Sequence, residues 1–475
     1  MRISSSSDTP FTEPIIENLL KTYSLPNADY PKHLMLLQIT RSNLRPDEAS
    51  ESVQCKTALN KAITQILEQP KSLETGQAEL LYFRYIENGG TTDVAAGEKF
   101  GYNKAKGRRE IQKARHALTA VLNALEAEAQ RTHKNQLVHK LGPATYRELM
   151  GSSDLWQRVS TNIVEHNDKW ISVVTGIGGI GKSSQTHKAI LDAIEQGAVQ
   201  NLVFIDAKNK ALNIADFLEQ AAEQLDIPRE QVKNKTTAEL SLYIAQIFKT
   251  TPYLILVDGI EEHVSHLIHE LIAFANPSQI IVTSRVEPDD KSHIHYYEVP
   301  QLSEAAAVKL IIEAKNAIQF PEPKPLPKDK LQKIIEKIGG NPLALKIIGG
   351  LLTDYHVDEI IDDLVKVQHP DTEKLYRRVY IKAWNNMHST SQQVFASMAV
   401  LPGIRSFSKG LLFSFTQHLL KSERELADIL YDLKSRSLID IDRSETHAAE
   451  RTTTHYKIHN LTRSFLETDI VDWGA

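Results

Sequence analysis

The stretch Gly176-Ile177-Gly178-Gly179-Ile180-Gly181-Lys182-Ser183 fits the pattern G-x-x-x-x-G-K-[ST]. Its chemistry is phosphate binding. Glycines let backbone N–H groups wrap phosphate oxygens, and a helix start adds free donors and a positive dipole end. Lys182 would reach the β- and γ-phosphates, and the Ser183 hydroxyl would ligate Mg²⁺. That chemistry needs a strand before the loop and a helix after it. Ile171–Thr175 (ISVVT) reads as a short buried strand. Lys182–Gln196 reads as a helix, with Ile190, Ala193 and Ile194 at helical spacing and Gly197 as its stop.

Two further strand ends carry polar residues. Leu254-Ile255-Leu256-Val257 ends in Asp258, whose carboxylate could hold Mg²⁺ through water, opposite Ser183. Ile280-Ile281-Val282-Thr283-Ser284 ends in Arg285, which is either a sensor of the γ-phosphate or an exposed strand-end charge. In Gly339-Gly340-Asn341-Pro342-Leu343-Ala344-Leu345 the proline falls in the first turn of a helix, where it is tolerated, and by itself that is only a cap. His263, His266 and His269 would share one side of a helix. Metal binding there is conceivable, but a polar helix face is the plainer reading, because no cysteine is nearby.

The chain has 475 residues, too many for one ordinary core. Its 41% hydrophobic and 24% charged residues are globular values, and a net charge of -5 gives no whole-chain signal for nucleic acid. Cys55 is the only cysteine, which excludes internal disulfides and cysteine-rich metal sites and fits a reducing compartment. The N-terminus lacks the apolar core of a signal peptide, and no apolar run is long enough to span a membrane. The expectation is a soluble cytoplasmic protein.

Periodicity divides the chain into regions. Residues 1–130 read as helical, with candidates Glu13–Tyr23, Val53–Leu67 and Ala78–Glu87 and breaks at Gly89-Gly90 and Gly101. Residues 131–150 look like a polar connector. From 151 to 300 strand candidates Ile171–Thr175, Leu202–Asp206, Tyr253–Val257, Gln279–Thr283 and Tyr296–Val299 alternate with helices. That alternation predicts a parallel sheet covered on both faces, with ligands at the carboxyl ends of its strands. Residues 301–365 are purely helical, most clearly at Leu331–Gly339 and Leu343–Tyr355. Residues 366–475 mix helices with a strand pair, Leu438–Ile441 and Tyr456–Ile458, which suggests a winged helix.

In this order the motifs resemble the NB-ARC subgroup of STAND ATPases, over roughly residues 145–475. GIGGIGKSS is similar to that family's phosphate loop, IIVTSR to its sensor strand, GGNPLAL to its GLPLA motif, and Tyr456-Lys457-Ile458-His459-Asn460-Leu461 to its MHD motif. Met150-Gly151-Ser152 lies where the family has Val-Gly-Arg beside the adenine. The resemblance implies a nucleotide-binding domain, a helical domain and a winged-helix domain closed around ADP. Gly151 would then lie beside the adenine. Gly178, Gly179, Gly181, Lys182, Ser183 and Ser184 would hold phosphates. Pro342 would pack on the adenine. His459 would either reach the β-phosphate and hold the closed state or be a hydrogen-bonded core histidine. The chain departs from the family in three places. Gly259 stands where a second acidic residue usually activates water, although Glu261 or Glu262 could substitute. Ser152 replaces an arginine, and Asn460 an aspartate. Together these suggest slow hydrolysis.

The segment Ala96–Asn103 with the KAKGRREIQKARHAL that follows is similar to the helix-turn-helix of sigma-factor region four. Gly101 would make the turn and Asn103 would cap the second helix. That helix carries Lys104, Lys106, Arg108, Arg109, Lys113 and Arg115, which could neutralise DNA phosphates. Gly97 and Gly107 weaken both helices. Acidic and basic residues balance over 1–130, so a protein-contacting adaptor stands beside DNA binding.

The expected fold is therefore multidomain α/β plus α: a P-loop NTPase parallel sheet, a helical domain and a winged-helix domain, preceded by an all-helical domain. The expected function is an ATP/ADP-controlled switch, closed and monomeric with ADP and a homo-oligomer with ATP. It would act through residues 1–130 on duplex DNA or on a protein effector, with the signal sensed by a separate protein or by a part of the chain beyond this sequence. A plain ATPase is a third reading, disfavoured by Gly259.

Overall fold

The computed structural model describes the chain outside residues 1–9, 24–36, 42–50, 69–72, 88–90, 145, 147, 152, 166–167, 208–211, 261–262, 317–325, 366–371, 401–406, 445–452, 459 and 471–475. Gly89-Gly90, Ser152, Glu261, Glu262 and His459 therefore lie outside the described residues. The chain forms two compact units, Met1–Gln136 and Leu137–Ala475. No described helix is long and apolar enough to cross a membrane.

The first unit is helical. Glu13–Lys21, Gln38–Arg41, Glu51–Glu68, Thr75–Leu81, Asp93–Lys99 and the start of Lys104–Leu141 surround a core that includes Ile16, Leu59, Ile63, Ile111 and Leu118. The expected helix Ala78–Glu87 is two elements, because the α-helix ends at Leu81 and Tyr82–Glu87 continues as a π-helix. The stretch read as a connector from 131 is helical as far as Leu141. Leu137 and Leu141 recur on one face and are buried, which extends the helix beyond its polar surface, and Gly142 ends it at φ +80°.

Helices Asp93–Lys99 and Lys104–Leu141 are joined by a short connection. Gly101 takes φ +76°, and the Asn103 side chain accepts from Lys106 N at 2.9 Å. The two glycines read as weak points have a tertiary role. A Cβ on Gly97 would lie 2.6 Å from Gly107 Cα, so the helices cross backbone to backbone. Lys104, Lys106, Arg108 and Arg109 are exposed. Arg115 is not available to a partner: it is buried, 3.1 Å from Glu17 Oε1 and donating to Tyr85 Oη at 3.3 Å.

In the second unit five parallel strands run in the order β2-β3-β4-β1-β5: β1 Ile171–Thr175, β2 Leu202–Asp206, β3 Leu254–Ile260, β4 Gln279–Ser284 and β5 Ile294–Glu298. β1 and β4 are buried throughout, as a sheet covered on both faces requires. β3 runs beyond its apolar residues through Asp258 and Gly259, with a register irregularity between Val257 and Ile260. Helices Glu304–Asn316, Lys328–Ile338, Pro342–Leu351 and Val357–Val365 follow. Then come Thr372–Asn385, Ser389–Val400, the short strand β6 Phe407–Ser408, and helices Lys409–Thr416 and Glu423–Ser435. An antiparallel pair, β7 Ile439–Ser444 and β8 Thr453–Ile458, completes a three-stranded sheet in the order β6-β8-β7. Helix Asn460–Phe465 comes next in the chain order.

The glycine crossing separates two effects of opposite sign. Helix propensity alone would make Gly97→Ala stabilising by up to about 1 kcal/mol. Its Cβ meets backbone that cannot rotate away, so we expect Gly97→Ala to destabilise by about 1–3 kcal/mol in urea unfolding of the full chain. Equal or greater stability would refute the crossing.

Candidate functional site: a phosphate loop closed by a buried aspartate

The loop leaves β1 at Thr175 and enters helix Lys182–Glu195. Gly181 caps that helix at φ +103°, with open space where a Cβ would stand, so backbone conformation and not crowding calls for glycine. Gly179, at φ +72°, is required for both reasons: its Cβ would lie 2.8 Å from Leu343 Cβ. Left-handed residues at 179 and 181 turn successive N–H groups to one side, the arrangement that receives an anion. Lys182 Nζ donates to the carbonyls of Gly176 (2.7 Å) and Ile177 (3.1 Å), which holds the ammonium at the loop.

Ser183 and Asp258 meet as the sequence suggested. Ser183 Oγ donates to Asp258 Oδ1 at 2.7 Å. Thr283 Oγ1 donates to the same oxygen at 2.6 Å and accepts from Gly259 N at 2.8 Å. Asp258 is buried, so its charge needs these donors. One carboxylate and one hydroxyl form a hard-oxygen donor set that suits Mg²⁺, which keeps most of its waters. Gln185 Oε1 and Thr186 Oγ1, at the start of the same helix, are buried without a hydrogen-bond partner among the described residues. Such atoms call for a polar partner, and a bound nucleotide can supply one. Ser184 is half-buried in the helix's first turn.

Register brings the remaining strand end alongside. Thr175 pairs with Ser284, so Arg285 leaves the sheet at the same end as the loop, and its N–H donates to Ile260 O at 2.9 Å. Gly259 takes φ +96°. An acidic side chain at that position would face the left-handed penalty of about 1–2 kcal/mol.

The GGNPLAL segment is seated on the loop. Asn341 Nδ2 donates to Gly178 O at 2.8 Å, and Leu343 N approaches Gly179 O at 3.4 Å. Pro342 occupies the first helical position behind the Asn341 cap. Gly151, at φ +91°, packs so closely that its Cβ would meet Leu302 Cδ2 at 2.4 Å, while Leu302 N donates to Gly340 O at 2.9 Å. The candidates Gly151, Gly178–Ser184 and Pro342 thus share one neighbourhood. Thr283, Asn341 and His187 are participants that the sequence reading did not single out. Asn341 carried a signal, since an Asn before a first-turn proline is a capping pattern.

His187, in the loop's helix, is fixed from both sides. Its Nε2 is 2.9 Å from Gly142 O and its Nδ1 is 3.1 Å from Tyr146 Oη. A carbonyl only accepts, so Nε2 carries the proton and Nδ1 accepts from Tyr146. Burial lowers the imidazole's pKa and outweighs the Gly142 carbonyl and Asp258, which favour the cation; Lys188 and β8's Lys457 lower it further. Burial also pushes the Tyr146 hydroxyl up to about 12. The histidine trio is not one helical face. His263 lies before helix Val264–Leu271 at φ +55°, and His266 is exposed beside Glu270 at 3.9 Å.

A parallel sheet with this loop at the carboxyl end of β1 defines a P-loop nucleotide-binding domain. Residues 152–309 match the NB-ARC domain. Among solved structures the chain is similar to a signal transduction ATPase with numerous domains (STAND) from Pyrococcus horikoshii that has a tetratricopeptide repeat sensor. The identity is 15% and the TM-score 0.46, over 69% of this chain and 44% of that one. The chain thus spans less than half of that protein's length. A Walker-type ATPase of Pyrococcus abyssi is similar at 14% identity and TM-score 0.34, over 70% of this chain and 99% of that one. The ORC1 protein of Aeropyrum pernix, in complex with DNA, is similar at 12% and 0.35, over 70% and 96%.

His187 gives a pH signature. Its folded pKa lies below the ordinary imidazole value of about 6.5, so the unfolded chain takes up this proton first as pH falls. The neutral histidine's stabilisation is present above about pH 6.5 and is lost as pH falls toward the folded value. In urea unfolding, His187→Gln should lose less stability than the wild type between about pH 7 and about pH 5.5. Parallel pH profiles would count against this account.

Proposed function

We propose that the protein is an ATP/ADP-controlled switch of the STAND type. The observation that carries this reading is the Ser183–Asp258 contact of 2.7 Å beneath a glycine loop that ends in Lys182. Lys182 would neutralise the β- and γ-phosphates, Ser183 and Asp258 would hold Mg²⁺, and Arg285 would meet the γ-phosphate. Gly178, Gly179, Gly181 and Ser184 would offer backbone or hydroxyl donors, while Gly151 and Pro342 would flank the base. Bound Mg²⁺ would supply charge neutralisation at the phosphates.

Residues 301–365 would form the helical domain and residues 366–475 a winged helix. The order helix, strand, helix, helix, strand, strand from Ser389 to Ile458 supports the second assignment. The ADP form would be closed, and ATP would release the C-terminal domain and allow homo-oligomerisation. His459 would hold the closed state at the β-phosphate. Turnover would be slow, because Gly259 offers no carboxylate to activate water and its φ of +96° disfavours one. A switch needs long-lived states more than rapid turnover.

The first unit would carry the output. Its exposed Lys104, Lys106, Arg108 and Arg109 at the start of a capped helix support duplex DNA as its partner. The second reading, recruitment of a protein effector, is supported by the inward turn of Arg115 and the pairing of Lys113 with Glu110 at 2.9 Å, which shorten the basic stripe.

Lys182→Ala removes the ammonium at the loop and should abolish ADP and ATP binding in calorimetry; undiminished affinity overturns the nucleotide site. Arg108→Ala with Arg109→Ala should weaken duplex binding by the full chain and flatten its salt dependence by about one slope unit per lost phosphate contact. If the wild type binds no duplex at low salt, the output is a protein effector.

A further inference from the structure

Asn341 is wholly buried and both ends of its side-chain amide are engaged. Oδ1 accepts from Leu343 N (3.1 Å) and Ala344 N (3.2 Å), the free donors at the start of helix Pro342–Leu351. Nδ2 donates to Gly178 O at 2.8 Å, across 163 residues of chain. Because oxygen can only accept and NH₂ only donate, this amide has a single satisfied orientation.

The contact fixes more than a distance. In a trans peptide the C=O and N–H point to opposite sides. Holding Gly178 O against Asn341 therefore turns Gly179 N–H away from it. The carbonyl of Gly179 approaches Leu343 N, and the space beside Gly179 Cα is filled by Leu343 and Asn341. Loop and helix thus meet along two successive peptides, with a glycine where any side chain would separate them. Tyr376, whose hydroxyl burial pushes up to about 12, lines the same small cavity as Asn341.

We propose that Asn341 is a positioning residue for the phosphate loop. It turns the N–H of Gly179 toward bound phosphate, so the loop binds nucleotide tightly only while helix Pro342–Leu351 is seated on it. This rests on the nucleotide reading above and adds the residue through which the helical segment controls affinity.

Serine also caps helices, but its hydroxyl ends short of Gly178 O. Asn341→Ser therefore keeps the cap and removes the clip, whereas Asn341→Ala removes both. With the full chain and ADP in calorimetry, both variants should show Kd raised about tenfold. Thermal unfolding without nucleotide should show Asn341→Ser the more stable of the two. An Asn341→Ser chain that binds ADP like the wild type reduces Asn341 to a cap and overturns the proposal. Asn341→Asp is an independent arm. Its buried carboxyl can donate to Gly178 O only when protonated, so its Kd relative to wild type should approach unity from about pH 8 to about pH 6. A ratio that stays constant overturns the proposal, as does a ratio that widens. A wild-type chain that binds no ADP overturns the nucleotide reading itself.

Discussion

A buried carboxylate organises the second unit. Asp258 is buried near the end of β3, where an unpaired charge would cost several kcal/mol. Ser183 and Thr283 both donate to it, and Thr283 is in turn engaged by Gly259 N. Three segments far apart in sequence are thereby held in one place: the start of the loop's helix, the end of β3 and the end of β4. The constraint explains why β3 continues beyond its apolar residues and why its ladder is irregular there. The strand must deliver a carboxylate to the helix and a backbone N–H to Thr283 within two residues, and a glycine at positive φ makes that turn.

Close contacts at glycines and short hydrogen bonds help hold the helical segment to this centre. Gly340 is within hydrogen-bonding reach of Leu302, and Gly179 is in contact with Leu343. Contacts of this kind are short and directional, so a small displacement breaks them altogether instead of weakening them gradually. That suits two discrete arrangements better than a continuum. The first unit uses the same device where Gly97 meets Gly107.

What could be read from the sequence follows from how local each signal is. The phosphate loop, the five strands and the meeting of Ser183 with Asp258 were legible because motif spacing and unbroken apolar runs are properties of adjacent residues. Strand ends were less so: β3 extends to Ile260 because hydrogen bonding by Asp258 and Gly259 overrides their poor strand propensity. Gly97 and Gly107 were misread as helix weaknesses, since propensity is an intrachain property and their purpose lies in a neighbouring helix. The helix to Leu141 hid in a polar composition whose apolar positions are few but correctly spaced. Asn341 was legible as a cap, but its second bond spans 163 residues and leaves no local trace. β6, with two residues, is defined by its pairing with β8 and by little in its own composition.

The proline after Asn341 has a chemical consequence over the protein's lifetime. Asparagines in proteins age by deamidation, in which the backbone nitrogen of the following residue attacks the side-chain carbonyl, closes a succinimide ring and expels ammonia. A proline nitrogen bears no hydrogen to lose and is already in a ring, so it cannot close that one. Exposed asparagines followed by small residues have no such protection. At Asn341, where conversion to aspartate would put a carboxylate against the carbonyl of Gly178, Pro342 closes the spontaneous route. The residue that starts the helix also keeps its neighbour's amide chemically intact.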